Sequence, residues 1–412
     1  PVADRNGACA GMNTQALTTA PPSTARTIGL VGTILALGYF AVLMSSYLGG
    51  YWLINTQGQP IAGDFVNVWA AGRLALDGHA AAAYDWTLHK AAEVSAVGHG
   101  FDNYYGWHYP PTFLFAAAAL ALIPYSAASI VWLLATLPGY LAAMRAIVGV
   151  RAGILLALGF PAALWNATAG QNGFLTASLI GGTLALMERH PVLAGCCLGL
   201  LTYKPHFGLL FPIVLIADRR WRVIAAAAVV ALAMAAFSLL VFGSETWIAF
   251  FQWMPTTSKL VLGQGAADWH RLQSIFGFVR AHGGGEALAW TAQAAVALTL
   301  AVALMWLWRS RVAFELKAAA LAAAALLATP YVYTYDLVVL AIPVAYLVRI
   351  GLTRGFIALD VAGLIAAGAL LLIYPFVNTN VGLAATLIVA ALIVRRVAAA
   401  VHDGGLGEHA SV

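Results

Sequence analysis

A single carboxylate, Asp64, stands in the stretch IAGDFVNVWAAGRLALDGHAAAAYD, residues 61–85, shortly after an apolar segment ends near Ile54. A carboxylate held at a water boundary suits proton transfer. It also suits helix capping, because Phe65, Val68, Trp69, Ala75 and Leu76 recur at roughly helical spacing behind it. Asn67, Arg73 and Asp77 fall elsewhere around the wheel, as in a helix lying flat on a membrane surface. As an N-cap, Asp64 would accept a bond from the backbone near Asn67, worth about 1 kcal/mol. That bond would also lower its pKa, so a base would need one oxygen left free. The expectation is that Asp64 both caps and reacts.

Other polar groups sit inside or beside apolar runs, where each costs free energy unless paired or used. Lys204, in LLTYKPHFGLL, is the sharpest case. An intramembrane lysine costs on the order of 3 kcal/mol, and Pro205 beside it frees a backbone carbonyl one turn earlier. It binds an anionic phosphate or pairs with a buried acid, and His206 adjoins it. Gln171 and Asn172 lie between two apolar segments with Gly170 and Gly173; a turn accounts for Gly and Asn but leaves the glutamine free to hydrogen-bond. Tyr331, Tyr333, Tyr335 and Asp336 follow Pro330, where Asp336 is an N-cap or a site residue. His270, Arg271, Gln273 and Ser274 are placed to meet a phosphate or hydroxyls. The run Tyr104–Pro111, with His108 and Tyr109, suits an interface belt or stacking on sugar rings.

The elements that must position these residues are membrane helices. The chain has 412 residues, 62% hydrophobic and 9% charged, with mean hydropathy +0.84. Soluble domains carry about 25% charged residues. A membrane barrel would alternate in segments of about ten residues; these runs are continuous and rich in Ala and Leu. The fold class is therefore an all-α polytopic membrane protein with about 10–12 helices. The apolar runs are 27–53, 111–124, 126–144, 152–168, 173–187, 191–217, 221–243, 286–308, 313–334, 336–349, 355–375 and 380–395. The first is too long for a signal peptide and reads as a retained helix. Position 1 is not Met, so either Met12 is the start or the numbering begins within a longer chain. The whole forms one transmembrane domain, 1–412, with external intervals 54–110 and 244–285. The second is expected to act as a lid.

Net charge is +5, but the basic residues cluster at helix ends, where they report orientation and not nucleic-acid binding. Asp218–Arg222, Arg309–Lys317, Arg395–Arg396 and the N-terminal Arg5 and Arg26 read as cytoplasmic, which puts Asp64 outside. Arg145, Arg151 and Glu188–Arg189 fall outside under simple alternation and inside if re-entrant pairs occur near Pro124 and Pro205. Cys9, Cys196 and Cys197 form no disulfide framework. No Walker A motif, no strand followed by GxGxxG, no HExxH and no Asp-x-Asp in the first interval is present, so neither a nucleotide domain nor a metal cofactor is indicated.

The stretches GDFVNVWAAGRLALDG with AAYD, WHYPPTFLF, GQNGFLTASL, VLAGCCLGLLTYKPHFGLLFPIVLIADRRWR, HRLQSIFGFVR and TPYVYTYDLVVL follow one another from about 61 to 349. In order and spacing they resemble membrane glycosyltransferases of the GT-C fold, and most closely the polyprenol-phosphate-mannose-dependent mannosyltransferases of glycosyltransferase family 87. The resemblance implies inverting transfer of a sugar, mannose above others, from a polyprenyl-phosphate donor to a lipid or glycan acceptor. It implies catalysis without metal or cofactor, in the cell membrane and on its outer face. Asp64 would take the acceptor hydroxyl's proton. Lys204 or Arg271 would neutralise the departing phosphate. His108, Tyr109, Gln171, Asn172, His206, His270 and Tyr335 would surround the substrates. The competing readings are a transporter or flippase for a lipid-linked sugar or small solute, and a non-catalytic membrane protein in which Asp64 only caps.

Overall fold

The computed structural model describes residues 22–266 and 268–409; the N-terminal stretch with Arg5, Cys9 and Met12 lies outside them. Among these residues the fold is all-α, with isolated bridges at Trp52, Ile54 and Pro60 in place of any strand. Helices satisfy every backbone group within their own segment, the requirement that lipid imposes. Six are long and apolar enough to cross a membrane: Thr24–Leu48, Tyr125–Val148, Trp221–Gly263, Glu286–Arg309, Thr334–Arg354 and Val381–His402. A seventh crossing arises if Val150–Leu158 and Pro161–Ala169, bent by 55° at the intervening break, count as one. Gly173–Leu186, Pro191–Tyr203, Pro205–Ala217 and Asp360–Phe376 are shorter apolar helices. The most apolar part of Thr334–Arg354 is 83% buried, against 11% for Thr24–Leu48 and Trp221–Gly263. The former is therefore the bundle's centre, and the latter two face outward.

Several sequence-based boundaries shift. The run 111–124 is not a crossing. Its helix, Leu114–Leu120, packs on Val66–Leu76. A Cβ on Gly72 would lie 2.0 Å from the Ala117 carbonyl oxygen, and Trp69 Nε1 donates to the Ile123 carbonyl at 2.9 Å. The amphipathic helix thus spends its apolar face on protein: Phe65, Val66, Val68, Ala70 and Ala71 are buried, while Leu76 and the Arg73–Asp77 ion pair remain exposed. The run 191–217 is broken at Lys204 into two half-length pieces. Helix 221–243 ends as expected, because Gly243 takes φ +80°. The interval beyond it is helical again to Ser258, then turns back through Trp269–Arg271 and Ile275–Ala281.

Helix directions sort the two ends of the bundle. Gly173–Leu186 and Ala341–Arg354 follow cavity-lining residues, Gln171 and Thr334–Asp336, and Tyr125–Val148 begins at the tyrosine that bonds Gly63 beside Asp64; all three run to basic turns. At that far end Arg349 donates to the Ile147 carbonyl and faces Glu315 at 4.0 Å, Arg354 faces Glu315 at 3.8 Å, and Arg395 and Arg396 close on Asp360. Because 111–124 stays at the cavity end, Arg145, Arg151 and Glu188–Arg189 share the far end with Asp218–Arg222.

Candidate active site

The cavity holds about 1170 Å³ and lies where the helix Val66–Leu76, the aromatic segment 102–110, the broken helix at Lys204 and the turn 331–336 converge. Asp64 opens onto it. Tyr125 fixes the approach by accepting from the Gly63 N–H at 3.1 Å and donating to the Ile61 carbonyl at 3.0 Å. The helix start uses backbone carbonyls, with Val66 N–H on Gly63 and Val68 N–H on Phe65. The N-cap residue is Phe65, already helical, and no side chain caps it. Asp64 therefore does not cap. Its carboxylate accepts no hydrogen bond among the described residues.

The expected lowering of its pKa is reversed. Burial in the cavity wall raises the Asp64 carboxyl to about 6, opposed by the Arg271 and Lys204 charges and reinforced by that of Asp336. A carboxylate poised there ionises close to neutral pH, where a general base is most effective.

Nine of the ten sequence-predicted site residues line this cavity: Asp64, His108, Tyr109, Gln171, Lys204, His206, His270, Arg271 and Tyr335. Asn172 does not. It is fully buried at the start of Gly173–Leu186, with its carbonyl bonded to Thr176 and its Oδ1 3.3 Å from the Tyr109 hydroxyl. Gln171 Oε1 lies 3.2 Å from that same hydroxyl, so Tyr109 is oriented by the Gln–Asn pair. Gly173 is required for close approach, since a Cβ there would lie 2.2 Å from the Tyr335 carbonyl oxygen.

The aromatic run divides. Trp107 and Phe113 are buried against each other and Tyr109, which is core packing and not an interface belt. Tyr104, Tyr105, His108 and Tyr109 face the cavity. His108 Nδ1 meets Thr257 Oγ1 at 3.0 Å, joining this segment to the 244–258 helix. Burial, and then the His89 charge, push His108 down to about 3, so its imidazole is neutral.

Lys204 is ion-paired. Its Nζ lies 2.6 Å from Asp336 Oδ1, and both side chains are buried. Asp336 is the third residue of its turn and not the N-cap; its Oδ2 accepts the Tyr333 N–H at 3.1 Å. Of the cavity's two Lys and Arg side chains, the one without a partner among the described residues is Arg271. Its turn is pinned from behind: Asn380 Nδ2 donates to the carbonyls of Trp269 and Leu272 at 3.1 and 2.7 Å. Gln273, expected to meet ligand, instead bridges the His270 carbonyl and the Gly382 N–H. His270 N–H is capped by Asp268 at 3.0 Å.

Sequence reasoning left out the segment Tyr374–Asn378, which lines the cavity from the C-terminal helices, and Asp102 and Asn103 opposite. Nothing in their local pattern separates them from ordinary turns. Asp336 was visible as a candidate, and its pairing with Lys204 was visible only as one option.

An all-α bundle with a large cavity at one end, onto which a free carboxylate and a free guanidinium open, marks a polytopic membrane protein with a candidate active site. Residues 107–330 match glycosyltransferase family 87. The chain belongs to that family and is a membrane glycosyltransferase. The matched residues include the aromatic segment, Lys204 and Arg271, and exclude Asp64, Tyr335 and Asp336. No curated protein and no solved structure matches the chain.

Proposed function

We propose that this glycosyltransferase moves a sugar, mannose in the first instance, from a polyprenyl-phosphate donor to a lipid or glycan acceptor at the outer membrane face. Asp64 is the base, and the bundle is of the GT-C type that its motifs resemble. The observation carrying this reading is the unbonded Asp64 carboxylate, raised to about 6, sharing one cavity with the unpaired Arg271.

The acceptor hydroxyl oxygen attacks the anomeric carbon as its proton passes to Asp64. The bond from that carbon to the phosphate oxygen breaks, and its electron pair leaves with the polyprenyl phosphate. Attack opposite to departure inverts the anomeric centre. Arg271 meets the charge that grows on the leaving phosphate. Donor and acceptor held in one cavity supply proximity. The outer-face placement is supported by the basic turns lying at the opposite end of the bundle, the side that retains positive charge.

The test is transfer of labelled mannose from undecaprenyl-phosphate mannose to membrane lipid or glycan, with product anomers read by NMR. Asp64→Asn should reduce transfer at least ~10²-fold, at the lower end of general-base contributions, with protein level and melting unimpaired. Transfer persisting in that variant, or a product with the donor's configuration, would overturn the mechanism. Uptake of a solute without any glycosylated product would favour the transporter reading instead.

A further inference from the structure

The Lys204–Asp336 pair is built into the cavity wall with hydrogen-bonding capacity unspent. The two are 2.6 Å apart and 5% and 1% exposed. An ammonium has three donors; among the described residues Lys204 Nζ uses one, toward Asp336 Oδ1. Asp336 accepts that bond at one oxygen and the Tyr333 N–H at the other, so each oxygen keeps a lone pair. The pair as a unit is neutral. A ligand that both donates and accepts satisfies such a wall. A phosphate only accepts, and it would meet the Asp336 carboxylate head-on.

The surroundings favour a ring. The Tyr335 and Tyr109 ring centroids lie 5.3 and 5.9 Å from Lys204 Nζ, and the Tyr109 hydroxyl is already engaged with Gln171 and Asn172. Tyr335 is the less buried of the two, and its apolar face suits the C–H face of a pyranose. Arg271, by contrast, offers a whole guanidinium fork, a geometry that matches phosphate oxygens.

We propose that Lys204 and Asp336 form a hydroxyl-reading subsite, Nζ donating to one hydroxyl of a sugar ring and the carboxylate accepting from its neighbour, while Arg271 alone meets the phosphate. This deepens the sugar-transfer reading and rests on it. The two cations of the cavity thereby take different tasks, and neighbouring hydroxyls in a fixed relative orientation become the determinant of which sugar enters. The ring is either that of the donor or that of the acceptor.

The full chain in lipid nanodiscs provides the test, by saturation-transfer NMR with methyl mannoside, methyl glucoside and methyl galactoside, and by binding of undecaprenyl phosphate with and without mannose. Wild type should bind at least one methyl hexoside. Asp336→Asn should weaken that binding roughly tenfold or more, the loss of one charged hydrogen bond. The double variant Lys204→Met/Asp336→Asn removes both charges yet retains an acceptor for the Tyr333 N–H, which guards against misfolding. It should lose the hexoside and still bind undecaprenyl phosphate, which Arg271→Ala should not. If the donor ring is the one read, the variants also lose the extra affinity that mannose confers on the lipid. If it is the acceptor ring, both lipids bind as in wild type. The proposal is overturned if no methyl hexoside binds wild type, if Asp336→Asn binds it undiminished, or if the double variant loses undecaprenyl phosphate while Arg271→Ala keeps it. The sugar-transfer reading fails separately if wild type binds a hexoside but neither lipid.

Discussion

Asp64 combines two properties that are usually in conflict, a fixed position and a carboxylate without bonds to fix it. Its backbone is held through Tyr125 on both sides, so the side chain needs no hydrogen bond of its own. Burial then raises its pKa to about 6. The base is the ionised form, so kcat/KM should rise with pH through about 6 and level off above it, read from initial rates of transfer between pH 5 and 8. A flat profile over that range would show that the group acting as base is not raised to about 6. The linkage to stability has the same origin. A folded-state pKa raised above the unfolded value of about 3.9 favours folding of the protonated form, and this contribution is lost as pH rises through about 6. Asp64→Asn should therefore melt above wild type at pH 7.5, with the gain shrinking as pH falls toward 5.

At the scale of elements, the site depends on close approach and on a clamp. Val66–Leu76 reaches the Leu114–Leu120 helix only because Gly72 lacks a side chain. Gly72→Val should cost about 1–3 kcal/mol by overpacking, seen as a lowered melting temperature in detergent, and should reduce transfer by displacing Asp64. An unchanged melt would mean that the two helices separate at no cost. The clamp is formed by Asn380 and Gln273, which hold the turn of Arg271 from the C-terminal helix. Asn380→Ala should lower kcat/KM by ~10- to 100-fold, the cost of slight misplacement. The pH limb should also move upward, because Arg271 is the charge that most opposes the rise in the Asp64 pKa. A slower enzyme with an unmoved limb would reduce the clamp to a merely structural role.

At the scale of the molecule, the cavity and the basic turns occupy opposite ends of one helix bundle. In the topology proposed above, the positive-inside bias puts the cavity on the outer face. With the three native cysteines replaced by Ala, Asp102→Cys should react with a membrane-impermeant maleimide in intact cells. Arg309→Cys, also exposed, should react only after permeabilisation; the reverse pattern would place the chemistry on the inner face. The same arrangement accounts for the uneven helices. Those facing lipid are long, whereas Pro191–Tyr203 and Pro205–Ala217 stop at Lys204, because irregular backbone is tolerated where protein and a cavity surround it.

The membrane class, the helical architecture and the break at Gly243 were legible from residues alone, since charge content, apolar run length and turn chemistry are local properties. Nine of the ten residues singled out in the sequence also line the cavity, because an ionisable or amide group beside an apolar run is conspicuous anywhere. The tertiary structure decided what those groups do. Lys204 and Asp336 stand 132 positions apart, and only their meeting turns a lone lysine into one half of a neutral pair and leaves Arg271 as the free cation. Asp64 could be read as a cap until the first turn of its helix was seen to bond through backbone carbonyls. Asn172 passed for a ligand-facing residue until Tyr109 covered it. Partner choice and desolvation act through space, and a linear pattern carries neither.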